Sequence, residues 1–436
     1  MCSSAIAIQV SGDVWGVWSA DDNPYEVTGD LRVPQESTLV IEPGCYIDFQ
    51  GHYMFLVDTS AVFEAVGTES DSITFTASDT IDGWYGLRFF NASSSCEVSY
   101  CIIKWGRTPG FGEPSISNGG GIFISNSSIN ISHCSLSNNE AYEGEGGGIY
   151  CEYSNIVLFA NAIISNKSSF GGAGICCINS IVNITNNVFE CNITFYPLGG
   201  GFGGAISCNS SNVIISSNKF YQNGANYGGG GIVILRGTAL IEYNIFDENS
   251  SWTYGGAIHI VRATFRLKGN LIINNYFSFF GGGLSCSSDT GSMIIENNTF
   301  YGNSARGRGG AIYITFDEND TLLNNIIYGN TAYDEDNICV HDIEDSMQIF
   351  YCNIEGGWPG EGNIDADPLF IDPDAGDFHL SWANYPIDDE TKSPCIDAGA
   401  PWSPYDPDST RADMGALPFE QLVGIDGLKD LLPKSV

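Results

Sequence analysis

Basic residues are scarce: 16 Lys and Arg stand against 52 Asp and Glu in 436 residues, a formal net charge of −36. That deficit argues against nucleic acid or an anionic membrane surface as partner, because both are held by clustered Lys and Arg. No apolar run approaches the ~18 residues of a membrane-spanning helix, so no membrane insertion is expected. Although there are 14 cysteines, no CxxC pair or Cys/His zinc spacing occurs, which leaves neither a zinc site nor a thiol-redox motif with support. Helical periodicity is also missing. What the chain does have is 43 % hydrophobic residues and 12 % aromatics, too many for a disordered acidic chain, and 53 glycines.

The glycines are periodic. Gly-Gly-(Gly/Ala)-Ile or a close variant recurs with its aliphatic residue at Ile122, Ile149, Ile175, Ile206, Ile232, Ile258, Leu284 and Ile312, in steps of 26 to 31 residues. A second landmark is Asn or Cys followed two places later by an apolar residue: Cys101, Cys134, Asn161, Asn187, Asn218, Asn244, Asn270, Asn298, Asn325 and Cys352. Five residues further on another Asn recurs, from Asn139 to Asn330. Such a period marks a solenoid.

Within each unit the apolar residues alternate, as in Ile129-Asn130-Ile131 and Phe265-Arg266-Leu267, which is strand periodicity. Neither a leucine-rich nor a calcium-binding nonapeptide pattern is present. The spacing therefore predicts an all-β, parallel β-helix of about 10–13 turns, taken as right-handed because right-handed crossovers dominate. Alignment of the turns puts Ile131, Leu158, Ile184, Ile215, Ile241 and Leu267 inward, with Leu136, Ile163, Phe189, Phe220, Phe246 and Ile272 in a second inward stack. The Asn ladders are assigned to corners, where Asn tolerates left-handed backbone and its amide can bond the same amide one turn away. Cys151, Cys177, Cys208 and Cys286 share one inward position and are read as reduced core residues.

Gly-Gly-Ala-Ile at 203–206, 255–258 and 309–312, together with Phe-x-x-Asn at 189–192, 220–223, 246–249 and 300–303, resembles the repeats of polymorphic outer membrane proteins. More broadly the chain resembles right-handed β-helix proteins of the pectin-lyase-like superfamily. The stretches Asp365-Ala-Asp-Pro-Leu-Phe, Ser393-Pro-Cys-Ile-Asp-Ala-Gly399 and Arg411-Ala-Asp-Met-Gly-Ala416 are similar to the ends of bacterial surface β-helix proteins grouped as choice-of-anchor domains. The resemblance implies the fold strongly and function weakly, since the superfamily holds lyases, glycosidases and adhesins.

Residues 1–36 are expected to form an N-terminal cap, 37–356 the β-helix with regular turns over 95–356, 357–420 an Asp-rich C-terminal cap, and 421–436 a tail. Ser3-Ser-Ala-Ile-Ala7 looks like the end of a signal peptide with an Ala-x-Ala site, so a secreted or bacterial cell-surface location is expected. Asp365, Asp367, Asp372, Asp374 and Asp377 are hard oxygen ligands at a spacing that could bind Ca²⁺, although Asp beside Pro and Gly is also ordinary turn chemistry.

Lyases of this superfamily need a basic residue beside a uronate, and glycosidases need paired carboxylates. Arg236 and Arg262 are 26 residues apart at the same offset, which stacks two cations on adjacent turns, and His259, Arg266 and Lys268 belong to the Arg262 turn. Glu242, Lys268 and Glu296 form an outward stack of alternating sign, which assigns Lys268 to a salt bridge. Arg266-Leu-Lys268 is similar to the Arg-x-Lys pair of polygalacturonases, but the accompanying Asn-x-Asp, Asp-Asp and Gly-His-Gly elements are missing. A second candidate surface is aromatic. Phe202, Tyr254 and Phe280 share the slot before each Gly-Gly, Phe170 and Tyr227 lie one place off, and Arg308 ends the row; Trp252, Tyr276, Phe277 and Phe279 extend the loops. With no complete catalytic set, the expected function is non-catalytic binding of a polysaccharide or of a surface glycan or protein. The alternative is a lyase or glycosidase acting on an acidic polysaccharide.

Overall fold

The computed structural model describes residues 7–110, 114–195, 200–287, 292–315, 320–341 and 347–421. Short strands wind into a right-handed parallel β-solenoid of about 12 turns. One column of strands follows the glycine corners: Ile122–Ser125, Ile149–Glu152, Ile175–Ile178, then the opening residues of the longer Ile206–Ser216 and Ile232–Glu242, then Ile258–Val261 and Leu284–Ser287. These pair in parallel and in register, Ile206 with Ile232, Ile232 with Ile258 and Ile258 with Leu284. A second column runs through Asn155–Phe159, Ile181–Thr185 and Thr264–Lys268, and a third through Ala162–Ile164, Val188–Glu190, Lys219–Tyr221 and Ile245–Asp247.

Period-two alternation sorts the side chains as the sequence leads one to expect. Ile215, Ile241, Leu267, Phe220 and Phe246 are fully buried. The rings of Phe189, Phe220 and Phe246 stack at 4.9 and 4.6 Å, one per turn. Cys151, Cys177 and Cys208 lie buried in register on neighbouring turns, and all thirteen described cysteines are free thiols.

The Asn ladders hold a different conformation from the one expected. The left-handed residue is the one before each ladder position, as at Ala160, Asn186, Ser217 and Tyr243, while Asn161, Asn187, Asn218 and Asn244 themselves turn inward and are buried. Each of these amides donates through Nδ2 and accepts through Oδ1, so the column satisfies main-chain groups that the corner leaves unpaired. Glycine is needed at the other corner. At Gly203, Gly229, Gly255 and Gly281 φ lies between 56° and 70°, and an added Cβ would fall 1.9 to 2.1 Å from the carbonyl oxygen three residues on.

Two boundaries move. Ile8–Asp13 already pairs in parallel with Tyr25–Val33, so most of the segment assigned to an N-terminal cap is solenoid. The apolar faces of Val27, Leu31 and Val33 are as buried as those of later turns, which is why the chain coils there. The signal-peptide-like Ser3–Ala5 and Ile6 lie outside the described residues, as does the tail beyond Gln421. At the other end, Trp358 packs on the core and Ile354 pairs with Ile364 through N–H and C=O. The chain then turns back along the flank, where the hairpin of Phe370–Asp372 and Asp377–Leu380 lies over Leu271, Ile273, Tyr301 and Ile326. The Asp-rich segment is thus mainly a flank cover, because those outward apolar side chains need burial as much as the open end does.

Candidate functional site

The ring slot forms as expected. Bridges link Gly171 to Phe202, Phe202 to Gly228, Gly228 to Tyr254 and Tyr254 to Phe280, and Phe280 pairs with Arg308. Tyr227, one place off, swings its ring into the gap above Gly228. Centroid distances are 4.9 Å for Phe202 to Tyr227, 5.5 Å for Tyr227 to Tyr254 and 5.5 Å for Tyr254 to Phe280. Phe202, Tyr227 and Tyr254 line one edge of a groove of about 370 Å³, whose other walls include Leu235, His259, Val261, Ser285 and Tyr313, and Phe280 continues the row beyond it at 5.5 Å from Tyr254.

His259 forms part of the floor. Its imidazole stacks under Tyr254 at 5.0 Å and 11°, and Nδ1 lies 3.3 Å from the Ser285 carbonyl oxygen, which fixes Nδ1 as the protonated nitrogen. Burial drives its pKa down to about 4, so the ring is neutral at physiological pH. The residues lining this groove include no Asp, Glu, Lys or Arg.

The basic candidates do not gather there. Arg236 and Arg262 hold left-handed backbone at φ 65° and 54° and are exposed, each four residues past its anchor, Ile232 and Ile258. Their register is the one expected, since Leu235 pairs with Val261. Arg266 Nη2 lies 2.6 Å from Glu296 Oε1, Lys268 Nζ reaches the same oxygen at 3.6 Å, and Arg308 Nε meets Asp334 Oδ2 at 3.3 Å. Trp252, 56 % exposed, meets Phe277 edge to face at 5.1 Å on the outer corner. Arg306, which the sequence reading missed, lays its guanidinium 4.3 Å from the Phe277 centroid and 5.2 Å from that of Trp252. Its position two before Arg308, opposite the long ring-bearing loop, was the available signal.

Four of the five candidate calcium ligands accept main-chain hydrogen bonds. Asp367 accepts from the Leu369 N–H, Asp372 from Ala375, Asp365 from Gly356, and Asp377 from both the N–H and the ring of His379. Among the described residues no group of three or more His, Cys, Asp or Glu is placed to hold a metal ion. The expected calcium cluster is therefore corrected: Asp365, Asp367, Asp372 and Asp377 each accept a main-chain N–H, and the five do not form one such group.

Parallel coils with a ring-lined groove along one corner define a β-solenoid. The chain belongs to the right-handed β-helix region family, whose model matches residues 64–250 and 120–300. Residues 299–319 also match the Chlamydia polymorphic membrane protein repeat. A metabotropic glutamate receptor-like protein R of Dictyostelium discoideum is 33 % identical over 88 residues, 20 % of this chain, and the chain spans 5 % of that relative's length. The catalytic unit of a thermostable GH87 α-1,3-glucanase from Streptomyces thermodiastaticus strain HF3-3 aligns with a TM-score of 0.26 and 13 % identity. That alignment covers 78 % of this chain and 64 % of the glucanase chain, and is too loose to bear on fold or activity. Among the described residues no helix is long and apolar enough to cross a membrane.

Proposed function

We propose that this chain is a non-catalytic, exported or cell-surface β-helix that binds glycan along the ring-lined groove. The observation that carries the reading is the unbroken ladder of Phe202, Tyr227, Tyr254 and Phe280 at one ring per turn. Flat ring faces in a row suit the apolar faces of successive sugar units, and neutral groups on the floor can meet their hydroxyls. The Chlamydia polymorphic membrane protein repeat at 299–319 supports surface placement. A lyase or glycosidase acting on an acidic polysaccharide has less support, because Arg266 and Arg308 are in ion pairs and the groove lining holds no carboxylate. The net charge of −36 also repels a polyanion.

Glycan-array binding by the wild-type chain that falls at least tenfold in Tyr254→Ala and Phe280→Ala is the expected result. Release of unsaturated uronate or of reducing ends from a polysaccharide panel, with and without Ca²⁺, would overturn the non-catalytic reading. An array with no hit would overturn the glycan reading.

A further inference from the structure

The C-terminal segment does more than cover the flank. Beside the corner that joins the second and third strand columns, its loop 403–407 and parts of 412–418 enclose a cavity of about 330 Å³ against Tyr243, Lys268, Gly269, Glu296 and Asn297. Hydrogen bonds hold the two walls together. Asn324 donates through Nδ2 to Ser403 Oγ at 2.9 Å and accepts the Ala400 N–H through Oδ1 at 2.7 Å. Asn297 Nδ2 donates to the Asp413 carbonyl at 3.0 Å, and Thr299 Oγ1 accepts the Ala416 N–H at 3.0 Å. The cavity is thus a preformed space between two fixed walls.

Within that corner, position 269 breaks the pattern. The left-handed residue is Ala160, Asn186, Ser217, Tyr243, Asn297 or Asn324 on other turns, so the backbone there does not require glycine. Gly269 holds the same conformation at φ 60°, and a β-carbon on it would stand 2.7 Å from Cδ1 and Cε1 of Tyr243. The missing side chain is what lets the Tyr243 ring lie across the neighbouring turn. Tyr405 supplies a second exposed ring to the lining, from the segment.

The polar lining both donates and accepts. Asp406 uses Oδ2 on the Asp413 N–H at 2.8 Å, and Glu296 uses Oε1 on both Arg266 and Lys268. Among the described residues, neither Asp406 Oδ1 nor Glu296 Oε2 takes a hydrogen bond, so each carboxylate keeps an acceptor to spare. Lys268 Nζ lies 3.6 Å from Glu296, too far for a hydrogen bond, so its ammonium keeps its donors. Two cations, Arg266 and Lys268, stand against two carboxylates, Glu296 and Asp406. Such a balance suits an uncharged ligand that has many hydroxyls.

We infer that this cavity is a second carbohydrate site, which takes a neutral sugar unit against Tyr243 and Tyr405 with its hydroxyls on Lys268, Glu296 and Asp406. Flat rings match the C–H faces of a pyranose, and hydroxyls need donors and acceptors together. A uronate would meet the spare carboxylate oxygens, and an amino sugar would meet the Lys268 ammonium. The cavity shares no lining residue with the ring groove and does not rest on the reading of that groove.

The test is a ligand-observed NMR titration of the full chain with glucose, galactose, mannose, xylose and N-acetylglucosamine, with glucuronate and glucosamine as charged controls. It is run on wild type and on Tyr254→Ala, which disables the groove. The expected result is binding of a neutral sugar that survives in Tyr254→Ala. Adding Tyr405→Ala, or Gly269→Ala to displace the Tyr243 ring, should weaken it about tenfold or more. Tyr405 is exposed, so Tyr405→Ala should leave the melting temperature within a few degrees of wild type. Binding that is lost in Tyr254→Ala yet unaffected by Tyr405→Ala would put the sugar in the groove and overturn this inference while the groove reading stands. Binding of no neutral sugar, or of a charged control as tightly as the best neutral one, would also overturn it.

Discussion

Asn218 places both its main-chain N–H and its Nδ2 on one oxygen, Oδ1 of Asn244 on the next turn, at 2.8 and 3.0 Å. Asn244 repeats the arrangement on Asn270 while its Nδ2 also reaches the Ile215 carbonyl at 2.9 Å. Truncation of Asn244 removes an acceptor shared by two donors and a donor to a buried carbonyl. Asn244→Ala is therefore expected to cost about 2–4 kcal/mol, more than a single hydrogen bond, as read from urea unfolding. An effect below about 1 kcal/mol would mean that the ladder is not a stabilising column.

The glycine corner makes a steric prediction. Many non-glycine residues hold positive φ on other corners, Arg236 and Arg262 among them, so φ alone does not demand glycine. At Gly255 a Cβ would stand 1.9 Å from the Ile258 carbonyl oxygen, which is main chain and cannot move without breaking the strand that begins there. Gly255→Ala is expected to destabilise by more than about 3 kcal/mol. A melting temperature within a few degrees of wild type would show that the corner can relax.

Asp413 ties the C-terminal segment together: Oδ1 accepts from the Asp397 N–H and Oδ2 from Phe419, both at 2.7 Å. Burial, with the neighbouring charges of Asp406 and Asp397, lifts its pKa to about 7. The native chain keeps a proton that the unfolded chain releases near pH 4, so this group's contribution is full below that pH and is lost as pH rises through about 7. The loss is on the order of 4 kcal/mol. Hydrogen exchange over 397–419 should speed up from pH 5 to pH 8 beyond its intrinsic pH dependence. In Asp413→Asn that extra acceleration should disappear.

His259 makes the opposite prediction. Its pKa of about 4 is below the ~6.5 of an unfolded histidine, so its contribution is full above about pH 6.5 and lost as pH falls toward 4. Val233 fills the same outward position one turn earlier, which makes His259→Val a tolerable exchange. The variant should gain up to about 3 kcal/mol relative to wild type between pH 7.5 and pH 4.5. A constant difference across that range would place the imidazole in solvent.

The ring slot could be read before the fold was seen because glycines punctuate every turn at one corner. Counting back from Ile206, Ile258 and Leu284 puts Phe202, Tyr254 and Phe280 in one column without any knowledge of side-chain direction. The five Asp residues fail because proximity in sequence did not become one ligand cluster, and Asp365, Asp367, Asp372 and Asp377 each accept a main-chain N–H instead.

The sequence by itself determined the solenoid, its register and its inward stacks, because those follow from local alternation and from a period that repeats until chance is excluded. It also located the recurring corner of Gly203, Gly229, Gly255 and Gly281, where an added Cβ would meet main chain. The sequence placed Lys268 beside Glu296, and the tertiary structure alone decided where the other cations end up: Arg266 also on Glu296, Arg308 on Asp334, Arg306 between two rings, and Arg236 and Arg262 away from the ring groove. Those outcomes depend on side-chain reach and on which loop packs beside which, and neither is a periodic property of the chain. For the same reason only the structure showed that the C-terminal segment runs back along the flank, where apolar side chains on several turns needed cover.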